Sequence, residues 1–182
     1  METNTLIIKV FGDPVLRKRA KRVTQVTDED RALLSGMARV MYASSGIGLA
    51  APQVGVSKSM IVVDIGSGLY KLVNPRVTKS EGRQALEEGC LSVPGVCIKV
   101  KRARTVRVKA LDEDGKPVTI EAQDLFACVL QHEIDHLKGT LIVDYASLLD
   151  KIKIKKRLAE LKKQADDETV SEPETKSCTL HL

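Results

Sequence analysis

Apolar residues recur along this chain first at helical spacing, then in alternation, then at helical spacing again. From Thr27 to Ser44, Leu33, Leu34, Met37, Val40 and Met41 form one stripe, behind a capping Thr27 and the acids Asp28, Glu29 and Asp30. Acids suit the positive end of a helix, so this stretch is predicted helical, with the Met/Leu stripe as a core face rather than a cofactor surface. Met60 to Ile65 is a short apolar run that suits a buried strand. Tyr70 to Pro75 reads as another, ended by the proline. Val96 to Leu111 alternates at period two and reads as one strand, Asp112-Glu113-Asp114-Gly115 as a hairpin signal, and Pro117 to Ala122 as the return. Asp124 to Lys138 is predicted helical, with Asp124 as N-cap, apolar positions at Leu125, Phe126, Val129, Leu130, Ile134 and Leu137, and Gly139 just past the end. A last helix begins near Ser147 and carries Leu148, Leu149, Ile152, Ile154, Leu158 and Leu161 mostly on one side. The pattern predicts an α+β domain, mainly antiparallel sheets around a central helix, with a C-terminal helix.

With 182 residues, 43% of them hydrophobic, the chain is long enough for one domain with a real core. Aromatic residues make up 3% and Trp is absent, so that core is aliphatic. Residues 1–165 are read as the catalytic domain and 166–182 as an acidic tail whose composition favours disorder. The net charge of +5 is uneven: seven Lys/Arg face two acids between Asp150 and Lys163, whereas five acids face one Lys from Gln164 onward. No apolar run approaches the roughly 20 residues of a membrane span, and Met1 to Thr5 resembles neither a secretory nor a transit signal. Four cysteines without paired spacing argue against a disulfide scaffold and for a reducing compartment, most simply the cytoplasm of a bacterium.

Chemistry enters at His132-Glu133-Ile134-Asp135-His136. Residues four apart lie one turn apart on a helix face, so both imidazoles can reach one metal ion, with Glu133 beside an activated water. The bland alternative is two histidines and an acid on a solvated face, although only His181 accompanies them in the whole chain. A hydrolytic metal needs a third protein ligand. Asp144 and Asp150 lie downstream, before a Lys-rich segment that would repel a cation; upstream stands Glu88-Gly89-Cys90-Leu91-Ser92. Alone, Cys90 reads as a buried small hydrophobe; beside the histidines it is the best candidate ligand. Gly46-Ile47-Gly48-Leu49-Ala50-Ala51-Pro52-Gln53 either lets backbone approach a ligand closely or is a helix-to-strand connection.

The order and wording of Gly-Ile-Gly-Leu-Ala-Ala-Pro-Gln, Glu-Gly-Cys-Leu-Ser and Gln-His-Glu-Ile-Asp-His resemble the three signature motifs of peptide deformylases. The resemblance runs from about Leu6 to near Lys163, and Leu137 with Lys-Gly-Thr-Leu after it looks like the bacterial type that ends in a helix. It implies a hydrolase that removes the formyl group from the N-terminal methionine of newly made proteins and releases formate. Cys90, His132 and His136 would hold the metal, and Glu133 would move the proton. The resemblance assigns the oxyanion donors to the Gln53 side-chain amide and the Leu91 backbone N–H. A thiolate with two imidazoles suits zinc by geometry, whereas the family is usually ferrous. Fe2+ is therefore expected, with Zn2+, Ni2+ or Co2+ as substitutes.

Methionine calls for an apolar pocket near the metal, for which Ile47, Cys128 and Val129 are candidates, the last two equally readable as ordinary core. Gly48, Gly89 and the Gly95-Val96 region could offer backbone to an extended peptide. Arg102 falls on the apolar face of the alternating strand, either marking a sheet edge or pairing with Glu88 to hold the Cys90 loop. Two rivals remain at this point: a small zinc endopeptidase, and a ribosome- or RNA-binding module with a structural metal. The basic stretch Lys151 to Lys163 suggests docking near the ribosomal exit tunnel, against the alternative of a solvated packing helix. A monomer is the simplest state.

Overall fold

The computed structural model describes residues 6–166. The acidic tail expected at 166–182 therefore lies outside the described residues, except for Asp166, which closes the last helix.

Helix α1 (Asp28–Ala43) starts as its sequence predicts. The Thr27 hydroxyl accepts from Asp30 N–H while the Asp30 carboxylate accepts from Thr27 N–H, a reciprocal cap that satisfies two backbone donors. Strands β1 (Gly48–Ala50), β2 (Met60–Val63), β3 (Tyr70–Glu81), β6 (Thr105–Leu111) and β7 (Pro117–Gln123) form one antiparallel sheet in the order β1-β2-β3-β6-β7. Strands β4 (Gln84–Glu88) and β5 (Ile98–Arg102) form a separate antiparallel pair. Helix α2 (Asp124–His136) packs on one face of the large sheet and α1 on the other. In β2, Ile61 and Val63 face α2 while Met60 and Val62 face α1. Burial on both faces explains why its sequence is continuously apolar. A third apolar cluster joins Cys90 and β5 to Leu141, Ile142 and helix α3 (Leu148–Asp166).

The α+β class is as expected, but four local expectations need correction. First, β3 continues through Pro75 to Glu81. The ladder to β6 shifts register between Val73 and Arg76, and Asn74 takes a positive φ of 53°, so the proline falls in a bulge where no ladder donor is required. Second, Val96 to Leu111 is two strands in two sheets. The chain changes sheets at Ala103, where Gln131 of α2 accepts from Ala103 N–H at 3.1 Å and donates to its carbonyl at 2.9 Å. Third, Asp124 is the first residue of α2 rather than its cap; its side chain accepts from Arg104 Nε at 2.8 Å. The helix ends at His136, two residues before the expected Lys138. Gly139 then turns the chain with φ 78°, its α-carbon so close to Arg17 that a Cβ would lie 2.5 Å from the Arg17 carbonyl oxygen. Fourth, the apolar residues of α3 do not share one covered side. Ile154, Leu158 and Leu161 pack on the body, whereas Leu148, Leu149 and Ile152 are 81%, 70% and 73% exposed.

Candidate active site

Helix α2 presents His132 and His136 one turn apart, and their Nε2 atoms lie 3.2 Å from each other. Cys90 follows β4 in a turn closed by Val93 N–H on the Cys90 carbonyl at 2.9 Å, which aims its Sγ to within 3.3 Å of His136 Nε2. All three residues are buried, and their ligand atoms lie within 4.8 Å of one another. Donors at about 2.0–2.1 Å (N) and about 2.3 Å (S) from one tetrahedral ion would be separated by about 3.3–3.6 Å, so the spacing suits a shared cation.

The protonation of these groups also fits. Burial lowers both imidazoles, His136 well below its ordinary value with added repulsion from His132, so each is in the neutral, ligating form. Burial works against ionising Glu88, but hydrogen bonds from His132 and Arg102 outweigh it and bring its pKa down to about 2. An ionised Glu88 accepts at 3.0 Å from His132 Nδ1. That fixes the proton on Nδ1 and turns the Nε2 lone pair toward Cys90 and His136. Burial pushes the Cys90 thiol up, so a cation is the partner that would convert it to thiolate. Both Glu133 oxygens are buried without a protein partner, as expected where a water and substrate complete the site. The residues present therefore fit a divalent metal.

Glu133 is fully buried, and burial raises its pKa well above the ordinary carboxylate range. Strand β1 presses on it. A Cβ built on Gly48 would overlap Glu133 Oε1 and sit 2.9 Å from Cδ, so only glycine leaves the carboxylate its place. Gln53, in the short 3-10 helix Ala51–Val54, is also fully buried. Its Oε1 accepts from Ala50 N–H at 2.7 Å, which orients its Nε2 to 3.3 Å from Ser92 Oγ and 3.7 Å from Cys90 Sγ. Leu91 N–H, next to Cys90, donates to no protein acceptor among the described residues.

Of the residues considered for substrate, Ile47 is half-buried and Gly48 and Gly89 are buried beside the ligands. Cys128 and Val129 lie wholly inside the core cluster under the large sheet, the alternative that the sequence left open. Arg102 pairs with Glu88 as one of its two readings proposed, Nε to Oε1 at 2.5 Å and Nη2 to Oε2 at 2.8 Å. Sequence reasoning missed the step from Glu88 to His132, and also Asp135, which accepts from Arg102 Nη1 at 2.9 Å and from the Tyr145 hydroxyl at 2.7 Å. The one available signal was an acid at the end of an apolar-facing strand, with an Arg on the facing strand. Nothing in the spacing tied it to a histidine 44 residues away.

A buried thiol, two neutral imidazoles and an orphaned carboxylate between two sheets define a metallohydrolase site. The polypeptide deformylase family model matches residues 5–152. A peptide deformylase of Halothermothrix orenii is 52% identical over 141 residues, covering 76% of this chain and 92% of its own. Among solved structures, a peptide deformylase from Legionella pneumophila superposes with a TM-score of 0.82 at 41% identity, covering 90% of this chain and 98% of that one. One from Synechococcus elongatus, in complex with actinonin, does so with 0.81 at 40% identity, covering 86% and 88%. The chain belongs to the peptide deformylase family: it is a metal-dependent hydrolase that removes the N-formyl group from nascent peptides. That sets aside the endopeptidase and the purely binding module. No helix among the described residues is long and apolar enough to cross a membrane.

Proposed function

We propose that Cys90, His132 and His136 hold one Fe2+, that Glu133 carries the reaction's proton, and that Gln53 and Leu91 bind the oxyanion. The convergence of one sulfur and two Nε2 atoms beside a buried, unpartnered carboxylate carries this reading. When bound, the metal lowers the pKa of water and polarises the formyl carbonyl. Glu133, whose affinity for protons burial raises, takes the proton of the attacking water and returns it to the departing methionine nitrogen. That return avoids expelling an amide anion. The Gln53 amide, 3.7 Å from the Cys90 sulfur, and the Leu91 N–H, next to Cys90 in the chain, would donate to the former carbonyl oxygen as charge builds on it. Each such donor contributes about 3 kcal/mol of barrier lowering where one has been removed elsewhere.

Ile47, Gly48 and Gly89, half-buried or buried beside Glu133 and Cys90, would receive the formyl-Met side chain and backbone, with Cys128 and Val129 behind them in the core. Iron suits the task because Fe2+ accepts a fifth ligand more readily than zinc; Zn2+, Ni2+ or Co2+ would substitute on exposure to air. The lysines of Lys151 to Lys163, with the exposed Leu148, Leu149 and Ile152, support docking of α3 near the ribosomal exit tunnel. We place the catalytic unit at 1–165, monomeric, in the bacterial cytoplasm. The test is anaerobic, iron-loaded protein given formyl-Met peptides, with acetylated and internal-bond peptides as controls. Free amine from the formyl substrate alone is expected, and Glu133→Ala should keep its metal yet lose nearly all turnover. Loss of metal with partial activity in that variant would overturn the role assigned to Glu133.

A further inference from the structure

The metal-ligating face of α2 extends one turn further back than the two histidines. Cys128, His132 and His136 are spaced at i, i+4 and i+8, so their side chains leave the helix along one line. The Glu88 carboxylate lies against the first two of them. Its Oε2 accepts from His132 Nδ1 at 3.0 Å and from Arg102 Nη2 at 2.8 Å. Its Oε1 accepts from Arg102 Nε at 2.5 Å and from the Cys128 thiol at 3.1 Å. All four residues are buried, Glu88 and Cys128 completely. We propose that Cys128 is a positioning residue: its thiol donates to Glu88 Oε1 and locks the carboxylate that orients His132 toward the metal.

The argument is geometric. The Arg102 fork fixes one edge of the carboxylate but leaves it free to rock about the axis between the two side chains. Arg102 itself is held from behind by Asp135, so the fork cannot follow a drifting partner. A donor on each side of the remaining edge, His132 on Oε2 and Cys128 on Oε1, removes that freedom. Both come from one rigid helix, so their separation does not vary. The thiol stays protonated, because burial and the neighbouring Glu88 charge both raise its pKa, and it is therefore a permanent donor. Removing it leaves Oε1 with a single donor in a site that excludes water. The carboxylate then tilts toward Arg102, and the His132 Nδ1 bond weakens first because it is the longer of the two bonds on Oε2. Groups that orient a ligating histidine typically change metal affinity by about 10–100-fold when lost.

This inference rests on the reading of His132 as a metal ligand, and the test separates the two. Zinc-loaded holoenzymes of the parent, Cys128→Val and Cys128→Ser are mixed with excess chelator and metal release is followed in time, while the zinc content of His132→Ala is measured after the same loading. Valine removes the donor and adds about one methyl group, alanine removes it at nearly the volume of serine, and serine keeps a donor. Cys128→Val should release its metal about tenfold faster or more, with Cys128→Ser close to the parent. Equal release from Cys128→Val and the parent, or equal acceleration in the valine and serine variants, would overturn the proposal. Normal release with a raised KM would leave Cys128 only its place behind the substrate wall, which also overturns the proposal. His132→Ala must fail to hold zinc; if it holds zinc as the parent does, the ligand assignment itself has failed. Should the valine variant not fold, Cys128→Ala makes the same deletion, and the comparison is read against Cys128→Ser.

Discussion

Replacing Gly48 by alanine should strike the reaction without touching a metal ligand. The added Cβ would overlap Glu133 Oε1 and stand 2.9 Å from Cδ and 3.0 Å from Cγ. Carbon contacts settle at about 3.5–4.0 Å, so the carboxylate must retreat by about 1 Å. It cannot do so by moving α2, since His132 and His136 on either side are bound into the same site. Gly48 does not have a positive φ, so alanine does not strain the β1 backbone, and the atoms nearest its Cβ are all of Glu133. A misplacement of about 1 Å in a reacting group commonly costs about 100-fold in rate, or about 3 kcal/mol of barrier. The assay is formate release from a formyl-Met peptide, with metal content and melting temperature measured alongside. A kcat lowered by about two orders of magnitude at parental metal content is expected. Gly46→Ala is the comparison, because its Cβ would lie 2.8 Å from the flexible Cδ1 end of Leu91, which can turn away, and only in ordinary contact, 3.5 Å, with the Met41 carbonyl oxygen. A Gly48→Ala enzyme with parental kcat would refute the placement of Glu133 as the proton carrier packed against β1.

Other consequences follow from the buried charges. The folded pKa of Glu88 lies at about 2, below its unfolded value near 4.5, so its contribution is complete above pH 4.5 and is lost as pH falls toward 2. The shift corresponds to about 3 kcal/mol, which metal-free Glu88→Gln should lack. Its melting temperature against pH should be flatter than the parent's below pH 4.5, and parallel curves would contradict the pairing. Arg102→Ala strands two buried or half-buried carboxylates, Glu88 and Asp135, and should cost about 3–5 kcal/mol in denaturant unfolding. A loss under 1 kcal/mol, with metal content and activity intact, would return Arg102 to a mere sheet-edge residue. Tyr145→Phe removes one donor from Asp135 at a half-exposed position and should cost no more than about 1 kcal/mol, measured the same way.

What the sequence made legible was whatever depended on neighbours within a few residues. The Thr27/Asp30 cap, the Met/Leu face of α1 and the turn at Asp112–Gly115 all form locally, and α1 and β7 lie where periodicity put them. The sheet change at Ala103 was hidden because the alternation keeps its phase across it: Ile98, Val100 and Arg102 point inward before it, Val106 and Val108 after it. Only Gln131, 28 residues on, marks the break. Pro75 misled for a related reason, since a bulge opposite another strand is a property of the pair. At the site, the three motifs named the groups that converge, but not what holds them. Glu88 reaches His132 across 44 residues and Cys128 across 40, distances over which pattern carries no information. The exposed start of α3 was unreadable too, because a stripe of Leu and Ile looks the same whether or not the body extends beneath it.

The central claim is that one sulfur and two imidazole nitrogens share a single divalent ion. X-ray absorption on the zinc-loaded protein reads those neighbours directly. One sulfur shell at about 2.3 Å, two imidazole nitrogens at about 2.0–2.1 Å and one further light atom are expected, with the sulfur shell absent in Cys90→Ser. A parent spectrum of nitrogen and oxygen alone would contradict the account.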